Sequence, residues 1–123
     1  MATDFDRWLE NQFITSGPFT ALIILVKIEG IKLRPLGSSY ATVIGSELRW
    51  PDMRNLLDRS KLPWNGTAIF PAFLDGGGPL GDGTARQRLA ELQNRVIADH
   101  AAINDGYFFD REGRMMRLEA IEA

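Results

Sequence analysis

The chain has 123 residues, 45% hydrophobic and 24% charged, which is the balance of an ordinary globular domain and excludes wholesale disorder. Sixteen acidic and fourteen basic residues give a net charge of -2, so no overall positive field draws the chain to nucleic acid or to anionic lipid. The absence of cysteine excludes disulfides, a thiol nucleophile and thiolate metal sites, and it suits a reducing compartment. We therefore expect one domain over residues 1–123, located in the cytoplasm, with neither nucleic acid nor a membrane as partner.

The first sixteen residues predict a helix. Thr3 is suited to cap it, with Asp6 at the third position, and the pair Gly17-Pro18 ends it. Residues 19–33 then predict a long strand, because β-branched and aliphatic side chains dominate them; a helix over residues 19–28 is the alternative.

Two features of this strand bear on its place in a sheet. Gly30 shifts the apolar positions from even to odd numbers, as an extra residue in a bulge would. The strand is either central or an edge that pairs with a second copy of the chain, and the charged residues Lys27, Glu29 and Lys32 favour one wet face with core burial on the other. A turn at residues 35–39 and a second strand at residues 40–44 complete a hairpin.

The second half of the chain predicts two helices and three strands. One helix begins at Pro51 and stops before Pro63, and a strand follows over residues 66–74. Pro71 places that strand at an edge, at a bulge or near its end, because proline has no amide hydrogen to donate. A longer helix, with Thr84 as its cap and Gln87 three residues later, runs to Ile103. Strands at residues 107–109 and 115–121 close the chain as a hairpin.

The element order is therefore α-β-β-α-β-α-β-β. It predicts an α+β fold in which about five strands form an antiparallel or mixed sheet, with helices packed mainly on one face.

The most site-like segment is the glycine-rich loop at residues 75–84, which follows a strand and opens a helix. It matches the spacing of the dinucleotide fingerprint, but Pro79 and a helix cap at Thr84 place the first helical amides beyond the glycines. Two flanking aspartates also oppose a phosphate. We therefore predict no cofactor; a ligand-binding or lid loop would use Asp75, Gly76, Gly77, Gly78, Gly81, Asp82 and Thr84.

His100 is the only histidine, so an imidazole acid or base would have to be this residue. It falls within the apolar stripe of the long helix, where we expect a core or boundary position. We predict no metal site. Three arginines, Arg111, Arg114 and Arg117, are expected on a solvated charged face, and nucleic-acid binding through them is the alternative.

No cluster of titratable residues specifies a reaction, which weighs against an enzyme. The sequence favours a non-catalytic protein-interaction or assembly module that binds a protein partner or forms a homo-oligomer. The alternative is a small-molecule or metal-assisted ligand-binding protein or enzyme that uses loop 75–84 and its aspartates.

Overall fold

Five antiparallel strands form one sheet in the computed structural model, which describes residues 2–118. The spatial order is β2-β1-β3-β4-β5. The elements, in chain order, are α1 (Asp4–Ser16), β1 (Phe19–Glu29), β2 (Lys32–Val43), α2 (Trp50–Asp58), β3 (Gly66–Ala72), α3 (Asp82–Ala98), a 3₁₀ helix (His100–Asp105), β4 (Tyr107–Asp110) and β5 (Met115–Met116). The predicted α+β class, element order and strand number are confirmed.

The central strand β1 separates two hydrophobic clusters. Its odd-numbered side chains between residues 19 and 25 pack with α1 and α2, and its even-numbered side chains between residues 22 and 26 pack with α3 and the 3₁₀ helix. Two of the three α-helices within residues 2–118 thus share one face, and α3 covers the other. The expected wet face of β1 is wrong for residues 19–26, all of which are buried, because helices cover both sides of this strand.

The turn between β1 and β2 lies earlier than the sequence predicts. Glu29 pairs with Lys32, so Gly30 and Ile31 form a two-residue turn, and Gly30 adopts a φ of 63° that favours glycine. Gly30 is therefore the hairpin turn and not a bulge. The irregularity in pairing lies between Leu25 and Val26 instead, and β2 is one strand of twelve residues.

A buried carboxylate joins the first two helices. Asp6 is 5% exposed, and its Oδ2 accepts a hydrogen bond from the Thr3 amide at 3.0 Å while its Oδ1 accepts one from the Trp50 amide at 2.7 Å. The Thr3 hydroxyl accepts in turn from the Asp6 amide, so the predicted cap of α1 is confirmed. The tryptophans Trp8, Trp50 and Trp64 are all buried in the cluster on this face.

Pro71 lies where β3 has only one neighbour. β4 pairs with β3 from Gly66 to Ile69, so the strand is locally an edge at Pro71, and it ends one residue later. The final hairpin is shorter than predicted, because β5 ends at Met116; residues 119–121 of the predicted strand lie outside the described residues.

The helix α3 begins and ends before the predicted positions. Its N-cap is Gly81, so Thr84 lies inside the first turn and not at the cap. The helix ends at Ala98 because Asp99 is extended, and the Oδ1 of Asp99 accepts from the Ala101 amide to start the 3₁₀ helix. His100 therefore belongs to the 3₁₀ helix.

Candidate functional site

The glycine-rich loop contains a tight turn at its start. The Gly77 amide donates to the Leu74 carbonyl at 2.8 Å, and the Leu74 amide donates to the Gly78 carbonyl at 2.9 Å. Gly77 and Gly78 have φ values of 96° and 91°, which L side chains rarely adopt. Leu80 anchors the far end of the loop: it is buried, and its amide donates to the Thr20 hydroxyl at 2.9 Å. The glycines therefore serve a turn that joins β3 to α3.

The predicted ligand residues of this loop lie mostly in solvent. Asp75, Gly76, Asp82 and Thr84 are exposed, and none of the clefts described below is lined by residues 75–84. Because α3 begins at Asp82, directly after its N-cap Gly81, its first amides lie beyond the last glycine of the fingerprint, although the predicted cap at Thr84 is wrong. The dinucleotide fingerprint also lacks the βαβ unit in which it binds a cofactor. The strand before the loop, β3, and the next strand, β4, are antiparallel, whereas a βαβ unit needs a parallel pair. Ligand binding by this loop stays a prediction.

His100 is half-buried beside a small cavity between α3 and β2. The cavity measures about 160 Å³, and its lining is mainly apolar, with Val96 and Ile97 on α3 and Pro35 and Leu36 on β2. The Nδ1 of His100 is buried and has no hydrogen-bond partner among residues 2–118. No carboxylate hydrogen-bonds to the ring in this part of the chain, and the proposed acid or base role stays a prediction.

Two of the three clustered arginines are engaged in ion pairs. Arg111 donates through both terminal nitrogens to the carboxylate of Asp58, at 3.0 and 3.1 Å, and its guanidinium lies 4.3 Å from the centre of the Trp64 ring. The hydrogen bond from Arg111 lowers the pKa of Asp58, and the hydrogen bond from the Trp64 indole has the same effect. Arg114 donates to Asp110 at 2.7 Å. The contact between Arg111 and Asp58 joins α2 to the hairpin of β4 and β5, whereas that between Arg114 and Asp110 lies within the hairpin.

The described residues contain no candidate metal site and no helix that could span a membrane. Between residues 2 and 118, no three His, Asp or Glu side chains come together in a group that suits a metal ion. No helix in the same range combines the length and the apolar character needed to cross a bilayer.

The most distinctive surface is the outer edge of β2, which sequence reasoning did not single out. β2 pairs with β1 along its whole length and lies at the end of the sheet. Within residues 2–118, its one hydrogen bond outside the sheet joins the Ser38 hydroxyl to Oε1 of Gln93 at 3.0 Å. We call residues 37–43, Gly-Ser-Ser-Tyr-Ala-Thr-Val, the open edge.

The open edge lacks the features that usually protect an edge strand. Natural proteins blunt such edges with charged side chains, proline, bulges or very short strands. Here Arg34, Pro35 and the irregular pairing all precede the open edge, and no charged residue occurs between Pro35 and Ser46. The opposite edge of the sheet differs: β5 has two residues, and the Met115 amide donates to Asp4 at 2.9 Å.

Exposed apolar side chains flank the open edge on both faces of the sheet. On one face, α2 and β2 border a cleft of about 440 Å³ that includes Leu56, which is 40% exposed. On the other face, Ile97 of α3 is 58% exposed beside the cavity near His100. Leu56 is thus only partly buried. Both helical layers therefore place an exposed apolar side chain beside the edge, together with the polar residues Arg59 and Gln93.

Comparisons of the chain with protein-family models, with curated proteins and with solved structures find no match. One sequence feature coincides with the open edge, an uncharged run of twelve residues, 35–46, in a chain that is 24% charged, and it does not by itself distinguish an edge strand from a central one. From the sequence, pairing with a second copy is an alternative only for the preceding strand, β1. The structure places β1 inside the sheet, between β2 and β3.

Proposed function

We propose that this protein is a non-catalytic assembly module that binds other protein chains by adding a strand to the open edge. The observation that carries the proposal is a long, uncharged edge strand whose outer side has no backbone partner among residues 2–118. We place the module in the cytoplasm, because the cysteine-free chain suits a reducing compartment.

Strand addition follows from the hydrogen-bonding capacity of an edge. Every second residue of an edge strand directs both its amide and its carbonyl outward, so the open edge offers about three such residues to a partner. An added polypeptide strand satisfies these groups with main-chain hydrogen bonds, and each bond contributes about 1 kcal/mol net.

The flanking side chains favour a polypeptide over a compact small molecule. Leu56 and Ile97 lie on opposite faces of the sheet, so a ligand that covers both must extend across its edge. A strand with alternating side chains reaches both faces, because successive residues point to opposite sides. The partner surface is therefore expected to be an extended, uncharged segment with apolar side chains.

The test uses a synthetic peptide that copies residues 35–46. Added to ¹⁵N-labelled protein, it should shift the amide resonances of residues 37–43 and leave those of the distant strand β5 unchanged. Methylation of every second peptide nitrogen removes the donors on one side of the peptide. Methylation of the set that faces the protein should abolish the shifts, and methylation of the alternate set should preserve them.

Protein variants supply the matched control. Ser39→Lys adds a charge to the open edge, and Ala90→Lys adds the same charge to the exposed surface of α3. We expect the peptide to bind Ala90→Lys as it binds the natural chain, and to bind Ser39→Lys more weakly. Equal binding of both methylated peptides, or no shift at residues 37–43 of monomeric protein at any peptide concentration, would refute the proposed function.

A further inference from the structure

We infer that the strand added to the open edge is β2 of a second copy of this chain, paired antiparallel about a two-fold axis. The inference rests on the proposed function and names its partner. Two five-stranded sheets then join into one sheet of ten strands. Two-fold dimers are the commonest closed assemblies, and they require one surface patch that is complementary to itself.

The charges along β2 satisfy that requirement. In an antiparallel self-pair, the beginning of each β2 lies beside the end of the other. The central residues 37–43 carry no charge, so no like charges of β2 itself meet at the axis. Lys32 and Arg34 precede this segment, and Glu47 follows it together with Arg49, which is paired with Glu10 at 3.2 Å. Glu47 of each copy therefore approaches the basic residues of its mate.

The two helical layers also meet across the axis. A two-fold axis perpendicular to the sheet keeps each face continuous, so the α2 helices of both copies lie on one face and the α3 helices on the other. Leu56 and Ile97 flank the open edge on these two faces, and each gains an apolar neighbour when a second copy binds. The contact therefore includes a hydrogen-bonded sheet between two apolar layers.

The register follows from symmetry. An antiparallel self-pair places one residue opposite its own copy, and full overlap of residues 37–43 makes Tyr40 that residue. Neighbouring positions are then displaced along the strand: the two copies of Ser39 lie two residues apart, about 7 Å along the strand direction. Disulfides require Cα atoms closer than about 7 Å, so only the position on the axis can bond readily to its own copy.

The absence of native cysteine allows a direct test of this geometry. Single cysteines are placed in turn at residues 38, 39, 40 and 41, and Ala90→Cys on the exposed surface of α3 is the matched control. Under dilute oxidising conditions, one position of the four should form a covalent dimer at least about tenfold faster than the control, with Tyr40→Cys expected. Equal rates at all five positions would overturn the inference.

A charge-swap experiment tests self-pairing without cysteine. Sedimentation equilibrium of the natural chain should show a species of twice 13.8 kDa. Ser39→Lys and Ser39→Glu each place two like charges beside the axis, so each should weaken the dimer by about fivefold or more. An equimolar mixture should recover the dimer, because opposite charges then face each other. No recovery in the mixture, with both variants folded by circular dichroism, would overturn the inference.

The two proposals fail in different ways. If the natural chain stays monomeric at millimolar concentration but its amides 37–43 still respond to the peptide, the partner is another protein and only the second-copy inference is wrong. If the chain is monomeric and the peptide produces no response, the proposed function is wrong as well. A dimer that Ser39→Lys leaves intact would show that the two copies meet at another surface.

Discussion

Adjacent leucines in α2 separate the stability of the fold from its assembly. Leu57 is 4% exposed and lies in the core, whereas Leu56 is 40% exposed beside the open edge. Truncation of Leu57 to alanine leaves a cavity, and we expect it to lower the free energy of unfolding by about 3 kcal/mol. Truncation of Leu56 should cost about 1 kcal/mol, because much of this side chain is already in water.

For the dissociation constant of the dimer we expect the opposite order, with a larger effect of Leu56→Ala than of Leu57→Ala. Full burial of a leucine side chain contributes about 1.5–3 kcal/mol, so covering the exposed 40% of Leu56 in a dimer contributes about 1 kcal/mol per copy. Leu56→Ala removes this contribution twice, and about 2 kcal/mol corresponds to a dissociation constant raised about thirtyfold. Leu57→Ala, measured where it remains folded, should change this constant by less than about threefold.

The assays are urea unfolding, followed by tryptophan fluorescence, and sedimentation equilibrium on the same two variants. The three tryptophans are buried, so their emission reports loss of the core. A dimer constant for Leu56→Ala within about twofold of the natural value would refute the reasoning that places this side chain at the interface. A larger loss of stability for Leu56→Ala than for Leu57→Ala would contradict the observed burial.

Three further predictions concern the fold. Asp6→Ala should lower the free energy of unfolding by about 3 kcal/mol in urea titration, because the buried Trp50 amide loses its acceptor and α1 loses part of its cap; a loss below about 1 kcal/mol would contradict this role. The lowered pKa of Asp58 contributes stability above its unfolded pKa of about 3.9, and this contribution is lost as pH falls through the lowered value, so Arg111→Ala should flatten the fall in urea midpoint as pH falls below about 4. Gly113→Ala should lower the melting temperature, because φ is 76° and the added Cβ lies 2.8 Å from the Trp50 ring; Gly76→Ala, which meets nothing within 4 Å, should leave it unchanged.

Local signals predicted several elements correctly. The Thr3 and Asp6 pattern marked the start of α1, and the β-branched run after Pro18 marked β1. Pro71 correctly indicated a part of β3 that pairs with a neighbouring strand on one side only. These predictions succeed because capping, strand propensity and the missing amide of proline act within a few residues.

Predictions failed where several local structures were compatible with the same sequence pattern. Gly30 suits either a bulge or a turn, and the pairing of Glu29 with Lys32 decides for the turn. The extended backbone of Asp99 ends α3 before His100, although the apolar spacing alone continues to Ile103. The buried contact between Asp6 and the Trp50 amide has no sequence signal, because it joins residues 44 positions apart.

The candidate site likewise depends on contacts between distant residues that local sequence signals do not reveal. Composition and spacing drew attention to loop 75–84, whose glycines form a turn that leaves Asp75 and Asp82 in solvent. The open edge consists of ordinary small and neutral residues, and its significance depends on the position of β2 in the sheet. Strand order is set by contacts between distant residues, and no local pattern in β2 distinguishes an edge from a centre.

The sequence by itself determined the α+β class, the element order and the uncharged character of residues 35–46, because these depend on residue type and on spacing along the chain. Only the tertiary structure decided that β1 is buried on both faces and that β2 lies at the edge. The physical reason is that burial and hydrogen-bond pairing are properties of neighbours in space. The same uncharged strand would be an ordinary core element if another strand of the chain covered it.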